Sequence, residues 1–203
     1  MPISPGRART PLLPSTDFSQ RRIPITRHPQ RPWFRIHPTG SPALDFRCLP
    51  HHRFSHPDGP FPLLYLGATI QTCLWEVFGD DVFLGRRAIS SARWNGCSIS
   101  QIHVPKVNVC ATTLERTRDA MNVDKASLMA SDLSIPQAWS LAIQKHPFGF
   151  EGIKYSSRFL DQSCLALFAR QDLASRLSVK PLSALNDLDA AVDWLEERGA
   201  ALV

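Results

Sequence analysis

An α+β domain is what this sequence predicts, on three observations. Strand-length apolar runs such as LLYL at 63–66 and CLALF at 164–168 are interleaved with stretches whose apolar residues recur at helical spacing. With 203 residues, 43% of them apolar, the chain has enough hydrophobic material for one core of ordinary size. No internal repeat divides it further.

Residues 1–31 hold six arginines against Asp17 alone, which accounts for the whole formal charge of +5. Prolines are frequent there and large apolar residues few, so the segment predicts a flexible basic tail ahead of a single domain over 32–203. The domain itself has equal numbers of basic and acidic residues and so lacks the electrostatic footprint of a nucleic-acid binder. PWFRIHP then predicts a short extended segment over Trp33–His37, followed by a long, proline-rich irregular loop to residue 62.

The apolar strand Leu63–Leu66 comes next, and Gly67 permits a sharp turn into a helix beginning near Thr69. In that helix Ile70, Cys73, Leu74 and Val77 form the expected buried face, and Glu76, beside Thr69 and Thr72, flanks it. SISQIHVPKVNVC alternates imperfectly around Pro105, as one or two strands passing a sheet edge would. Helices follow over Leu114–Met121 and Ile135–Lys145, the second with Pro136 in its first turn and His146-Pro147 at its end. GIKYSS and CLALFAR form an antiparallel hairpin across RFLDQS. Ser183 caps a last helix whose Leu185, Leu188, Val192 and Leu195 make one stripe, ending at Gly199. Trp75 and Trp139 are expected as core packing.

Several function classes drop out. No apolar run approaches the roughly 18 to 20 residues that cross a bilayer, and the N-terminus lacks a signal peptide's apolar stretch, so a cytoplasmic protein is expected. Five cysteines, odd in number and without a CxxC pair, fit reduced thiols better than disulfides or zinc. His51, His52 and His56 cluster in HHRFSHPDG without metal-ligand spacing, so a polar loop and no metal is the reading there. GxGxxG, GxxxxGK[ST] and GxSxG are all missing.

What remains is a set of polar groups near the ends of short apolar strands: Arg35, Arg53, Tyr65, Glu76 and Ser157. Glu76 is the most conspicuous, because no other charge lies between Asp58 and Asp80. Taken singly, each has a plain structural reading, and periodicity does not decide whether Glu76 is a solvated helix residue or a site.

Their order decides more. WFRIHP, RFSHPDG, LLYLGATIQTCLWEVF, GIKYSSR and SCLALF together resemble the RES domain, the toxin half of a bacterial toxin–antitoxin pair. The family's eponymous arginine, glutamate and serine fall on Arg35, Glu76 and Ser157, and the likeness runs from about Trp33 to Phe168. Where typical members carry a glycine-arginine-tryptophan-asparagine loop, this chain has His52, Arg53, Phe54 and Ser55. A second candidate, ARWN at 92–95, follows the glutamate and is in the wrong order.

The resemblance implies a core like that of the ADP-ribosyltransferases, with small mixed and antiparallel sheets surrounded by helices. It also implies NAD+ as a substrate rather than a cofactor. Glu76 would stabilise oxocarbenium character as the nicotinamide–ribose bond breaks, and Arg35 and Arg53 would grip the diphosphate. Tyr65 would stack on the nicotinamide or hold a ribose hydroxyl, and Ser157 would orient a ribose or the amide; Tyr155 and Arg158 flank that serine. The implied activity is NAD+ glycohydrolase or phosphorylase, held in check by an antitoxin with a DNA-binding helix-turn-helix domain. Homo-oligomers are compatible with this reading. Protein ADP-ribosylation is the enzymatic alternative, and a non-catalytic module binding through the basic tail is the other.

Overall fold

Apolar runs become strands here, and the connections between them carry the polar loops. In the computed structural model, which describes residues 12–59, 61–83, 87–170 and 172–203, the strands are β1 (Ile25–His28), β2 (Arg31–Pro38), β3 (Leu63–Gly67), β4 (Ala88–Ile89) and β5 (Cys97–Val104). They continue as β6 (Val107–Ala111), β7 (Gly152–Ser156), β8 (Ser163–Phe168), β9 (Ser178–Ala184) and β10 (Ala201–Leu202). The α-helices are α1 (Ile70–Phe83), α2 (Ser91–Asn95), α3 (Glu115–Met121), α4 (Lys125–Leu128), α5 (Ser134–Lys145), α6 (Leu173–Arg176) and α7 (Asp189–Glu197).

Eight strands make one mixed sheet in the order β1-β6-β7-β8-β3-β2-β5-β9, while β4 and β10 form a small parallel pair. Every neighbouring pair of the large sheet is antiparallel except β6 with β7. Strands β3 and β8 pair along their length, as do β2 and β5, but β2 and β3 meet at Phe34 opposite Gly67 and then part. The sheet is therefore two half-ladders joined at a point. The α+β class holds, with one large mixed sheet where small ones were expected.

Apolar residues cover both faces. Tyr155, Ile153 and Phe168 pack with Trp139 and Ile143 of α5 on one side, and Leu64, Leu66, Val107, Val109, Leu165 and Leu167 pack with Trp33 on the other. A third cluster joins Leu74, Trp75 and Phe78 of α1 to Trp94, Ile99 and Trp194. In α1 the buried face is Cys73, Leu74, Trp75 and Phe78, with Ile70 and Val77 half-buried at its border. Trp75 and Trp139 are core residues, as expected.

Four sequence expectations are corrected. Residues 12–31 are not a loose tail: β1 pairs with β6, Phe18 sets its ring edge-on at 5.3 Å to Trp139, and the indole of Trp139 donates to the Leu12 carbonyl at 2.7 Å. Residues 1–11 lie outside the described residues. Strands β5 and β6 are interior rather than edge strands, because Pro105 falls in the link between them and spares both ladders. Ser183 belongs to β9, and the last helix starts at Asp189 after a 3-10 turn at Leu185–Asp187. Gly67 serves close approach rather than a turn: a Cβ there would lie 2.7 Å from Cys73 Sγ, so the glycine lets α1 start directly against β3.

Among the described residues no helix is long and apolar enough to cross a membrane.

Candidate active-site cleft

Where β2 departs from β3 a cleft of about 540 Å3 opens, a volume ordinary for a small-molecule site. Arg35 from β2, Tyr65 from β3, Glu76 from α1 and Arg53 from the β2–β3 loop all line it. Four of the five residues singled out in the sequence thus share one cavity.

The fifth, Ser157, stands behind Glu76. Its hydroxyl donates to Glu76 Oε1 at 2.6 Å and accepts from the backbone N–H groups of Phe159 and Leu160 at 3.2 and 3.3 Å. Both lone pairs are occupied by those amides, so the proton has one direction left, toward the carboxylate. Ser157 is buried and Glu76 exposed, which makes the serine the fixed partner and the carboxylate the face shown to solvent. Ser157 itself does not line the cleft and touches its lining through Glu76.

Local structure delivers this pair across 81 residues of sequence. Thr69 caps α1, its hydroxyl accepting from the Thr72 amide at 3.0 Å. Gln162, in the β7–β8 turn, accepts from the Thr69 hydroxyl at 2.8 Å and also from that of Thr72. The Ser157 amide closes the same turn on the Gln162 carbonyl at 2.8 Å. The hairpin is thereby pinned to the helix whose second turn carries Glu76.

Arg35 bridges the gap between the half-ladders. Its two Nη groups donate to the carbonyls of Tyr65 at 3.1 Å and Asp45 at 3.2 Å, replacing ladder bonds that β2 and β3 do not make. Burial pulls its pKa below the usual guanidinium value, with Asp45 opposing, and each Nη keeps a second hydrogen. Arg53 spends Nη1 on the carbonyls of Leu128 and Ala130 at 3.3 and 3.4 Å, and its Nε–Nη2 edge has no hydrogen-bond partner among the described residues. That edge is the one that fits two oxyanions side by side. Burial lowers the Arg53 pKa as well, opposed by Tyr155 and then Glu76.

Tyr65 lines the cleft, and its hydroxyl is taken up by the neighbouring loop. Its hydroxyl accepts from the Phe54 amide at 3.1 Å and lies 3.2 Å from Ser55 Oγ, so it holds the loop that carries Arg53. Burial pushes the phenol up to about 12. Tyr155 is buried yet still lines the cleft, whereas Arg93, from the displaced ARWN, pairs with Asp81 at 2.6 Å and does not line it.

The structure adds residues that sequence reasoning left out. His52 lines the cleft edge-on to Tyr65 at 5.2 Å, and burial, then His51 and Arg35, hold its pKa down to about 4. Gln137 of α5 fixes the same loop through Pro50 and His52 carbonyls at 2.6 and 3.0 Å. Arg158 pairs with Asp80 at the rim, and Arg47 with Asp45. The HHRFSHPDG stretch was the available signal, since a long loop dense in His and Arg suits a binding wall as well as a polar surface.

With this geometry in view, comparison with known proteins is informative. A family model for the RES domain matches residues 22–192, a span that begins before β1 and ends inside α7. Among solved structures, a chain in the crystal structure of the M. tuberculosis MbcT-MbcA toxin-antitoxin complex is similar, with a TM-score of 0.67 and 18% sequence identity. The match covers 91% of this chain and 98% of that one. No curated protein sequence matches.

Proposed function

The chain belongs to the RES domain family, and from that premise together with the cleft we propose that it is the toxin of a toxin–antitoxin pair, consuming NAD+ by breaking the nicotinamide–ribose bond. One observation carries the reading. A carboxylate oriented by a buried serine faces a cleft that also presents two half-buried guanidiniums.

In the reaction proposed, the bond between nicotinamide N1 and ribose C1′ breaks and its electron pair leaves with the ring, which departs neutral. Positive character collects on the ribose, and the Glu76 carboxylate stabilises it more in the transition state than in the ground state. Water or phosphate then forms the new bond to C1′ and releases a proton to solvent. The Nε–Nη2 edge of Arg53 and the remaining Nη hydrogens of Arg35 suit the diphosphate. His52, uncharged near neutral pH, adds a polar wall without adding charge.

The antitoxin, proposed to carry a helix-turn-helix DNA-binding domain, would cover this cleft in the cytoplasm, where NAD+ is plentiful. That a similar chain is found in a toxin-antitoxin complex supports the partner. NAD+ labelled in its adenylate half tests the reaction and its acceptor together. Label released as a small molecule alongside free nicotinamide supports hydrolysis or phosphorolysis; label retained on a protein band supports ADP-ribosylation. Intact NAD+ after incubation with folded protein and each acceptor contradicts the proposal.

A further inference from the structure

Away from the cleft, four of the eleven buried side-chain polar atoms without a hydrogen-bond partner among the described residues belong to β1 and the start of β2. They are Thr26 Oγ1, His28 Nε2, Arg31 Nε and Trp33 Nε1. Buried polar groups in folded proteins are nearly always satisfied, so four neighbours left over demand a physical reason.

Register puts the four on one face. Thr26 and His28 stand opposite Val109 and Val107, and Arg31 and Trp33 stand opposite Val104 and Ile102, all within the same core cluster. Strands β1 and β2 lie far apart in the sheet order yet are joined by Pro29 and Gln30 alone, so the sheet must curl until its β1 edge comes back beside β2. The ring of His28 consequently lies edge-on, 5.2 Å from that of Trp33, and the Arg31 guanidinium carbon sits 4.3 Å above the same indole. Lys154 of β7, opposite Leu165, faces this side too.

The corner is electrostatically one-sided. His28, Arg31 and Lys154 form no ion pair among the described residues. Burial holds the His28 imidazole down to about 4, and Arg31 and Lys154 push it further in that direction. Lys154 is itself lowered by burial and then by Arg31. Arg31 Nε and Trp33 Nε1 can only donate, and Thr26 and neutral His28 can do so. Donors and cations thus share one face, where none is ion-paired to a carboxylate among the described residues.

We propose that this corner binds a small tetrahedral oxyanion, of the size and charge of inorganic phosphate, at a site separate from the cleft. None of the five residues lines the cleft. His28 is 3% exposed and Trp33 fully buried, so their unpartnered atoms are shielded from solvent and offer a nucleoside no open surface to lie on. Bound there, the anion ties β1 to the start of β2 and closes the curl.

The site does not depend on any activity toward NAD+. Imidazole resonances of the full-length protein, with His28 assigned by comparison with His28→Asn, are followed during titration with inorganic phosphate, sulfate and AMP. Phosphate and sulfate should move the His28 signal and raise its titration midpoint from about 4 by about one pH unit or more, as an adjacent anion does, while AMP leaves it in place. Lys154→Met should weaken binding on the order of tenfold, and Thr26→Val, nearly isosteric, should weaken it without unfolding the chain. A His28 signal that phosphate moves no more than chloride of equal ionic strength overturns the proposal. So does unaltered affinity in both variants, or an equal response to AMP.

Discussion

Replacing Ser157 with alanine removes one oxygen that does two jobs, and the structure allows each loss to be sized. The hydroxyl donates to Glu76 Oε1 at 2.6 Å, and a hydrogen bond to a charged group contributes about 1.5 to 3 kcal/mol net. If that bond holds the carboxylate where the ribose develops charge, Ser157→Ala should lower kcat for nicotinamide release by about 10- to 150-fold, at about 1.4 kcal/mol per factor of ten. The same oxygen accepts from the Phe159 and Leu160 amides, and their loss should cost about 1 to 3 kcal/mol of stability in denaturant titration. Ser157→Thr retains the hydroxyl and should keep most of the turnover. In a Glu76→Ala background, Ser157→Ala should cost almost nothing more in rate, since the serine acts through the glutamate. Turnover by folded Ser157→Ala within about twofold of the unsubstituted protein, or losses that add in the double variant, would refute this coupling.

Three further outcomes are expected. Tyr65→Phe leaves the Phe54 amide without its acceptor and should cost about 1 to 3 kcal/mol by denaturant titration while raising KM more than it lowers kcat, because the loop carrying Arg53 loosens. Gly67→Ala forces Cβ against Cys73 Sγ and should destabilise by about 1 to 3 kcal/mol, visible as a lower Tm; an unchanged Tm would show that α1 can slide away from β3. His28 and His52 have folded pKa values depressed from 6.5 to about 4, so the unfolded chain binds more protons between those values. Their contribution to stability is complete above about pH 6.5 and is lost as pH falls toward 4. Urea midpoints measured across that window should fall with pH, and less steeply in His28→Asn.

The parts of the fold that were legible in the sequence are those in which local pattern and tertiary context agree. LLYL, the helix beginning at Thr69 and the GIKYSS–CLALF hairpin read directly, because each carries its own apolar period. The segment 12–31 did not, since Phe18 and Ile23 are isolated apolar residues among prolines and arginines, and ITRH has no alternation to reveal β1. Strand β9 was hidden by Pro181, which an edge strand tolerates, and its SVKPLSA is mostly exposed. At the site, residue types and their order identified Glu76, Arg35, Arg53 and Tyr65 as a set, and Ser157 with them. How each is committed could not be read. The Arg35 bonds to two carbonyls depend on β2 parting from β3, and the Ser157 bond to Glu76 depends on Gln162 docking a hairpin onto a helix start, long-range events without a local signature.

The central claim is that Glu76, in this cleft, drives cleavage of the nicotinamide–ribose bond. Release of free nicotinamide from NAD+, quantified by chromatography for the purified protein and for Glu76→Ala, tests it most directly. Steady release by the first and a loss of at least about a hundredfold in the second, with both equally folded, is the result predicted. Equal release by the two proteins, or none by either with water, phosphate and protein acceptors all supplied, would contradict it.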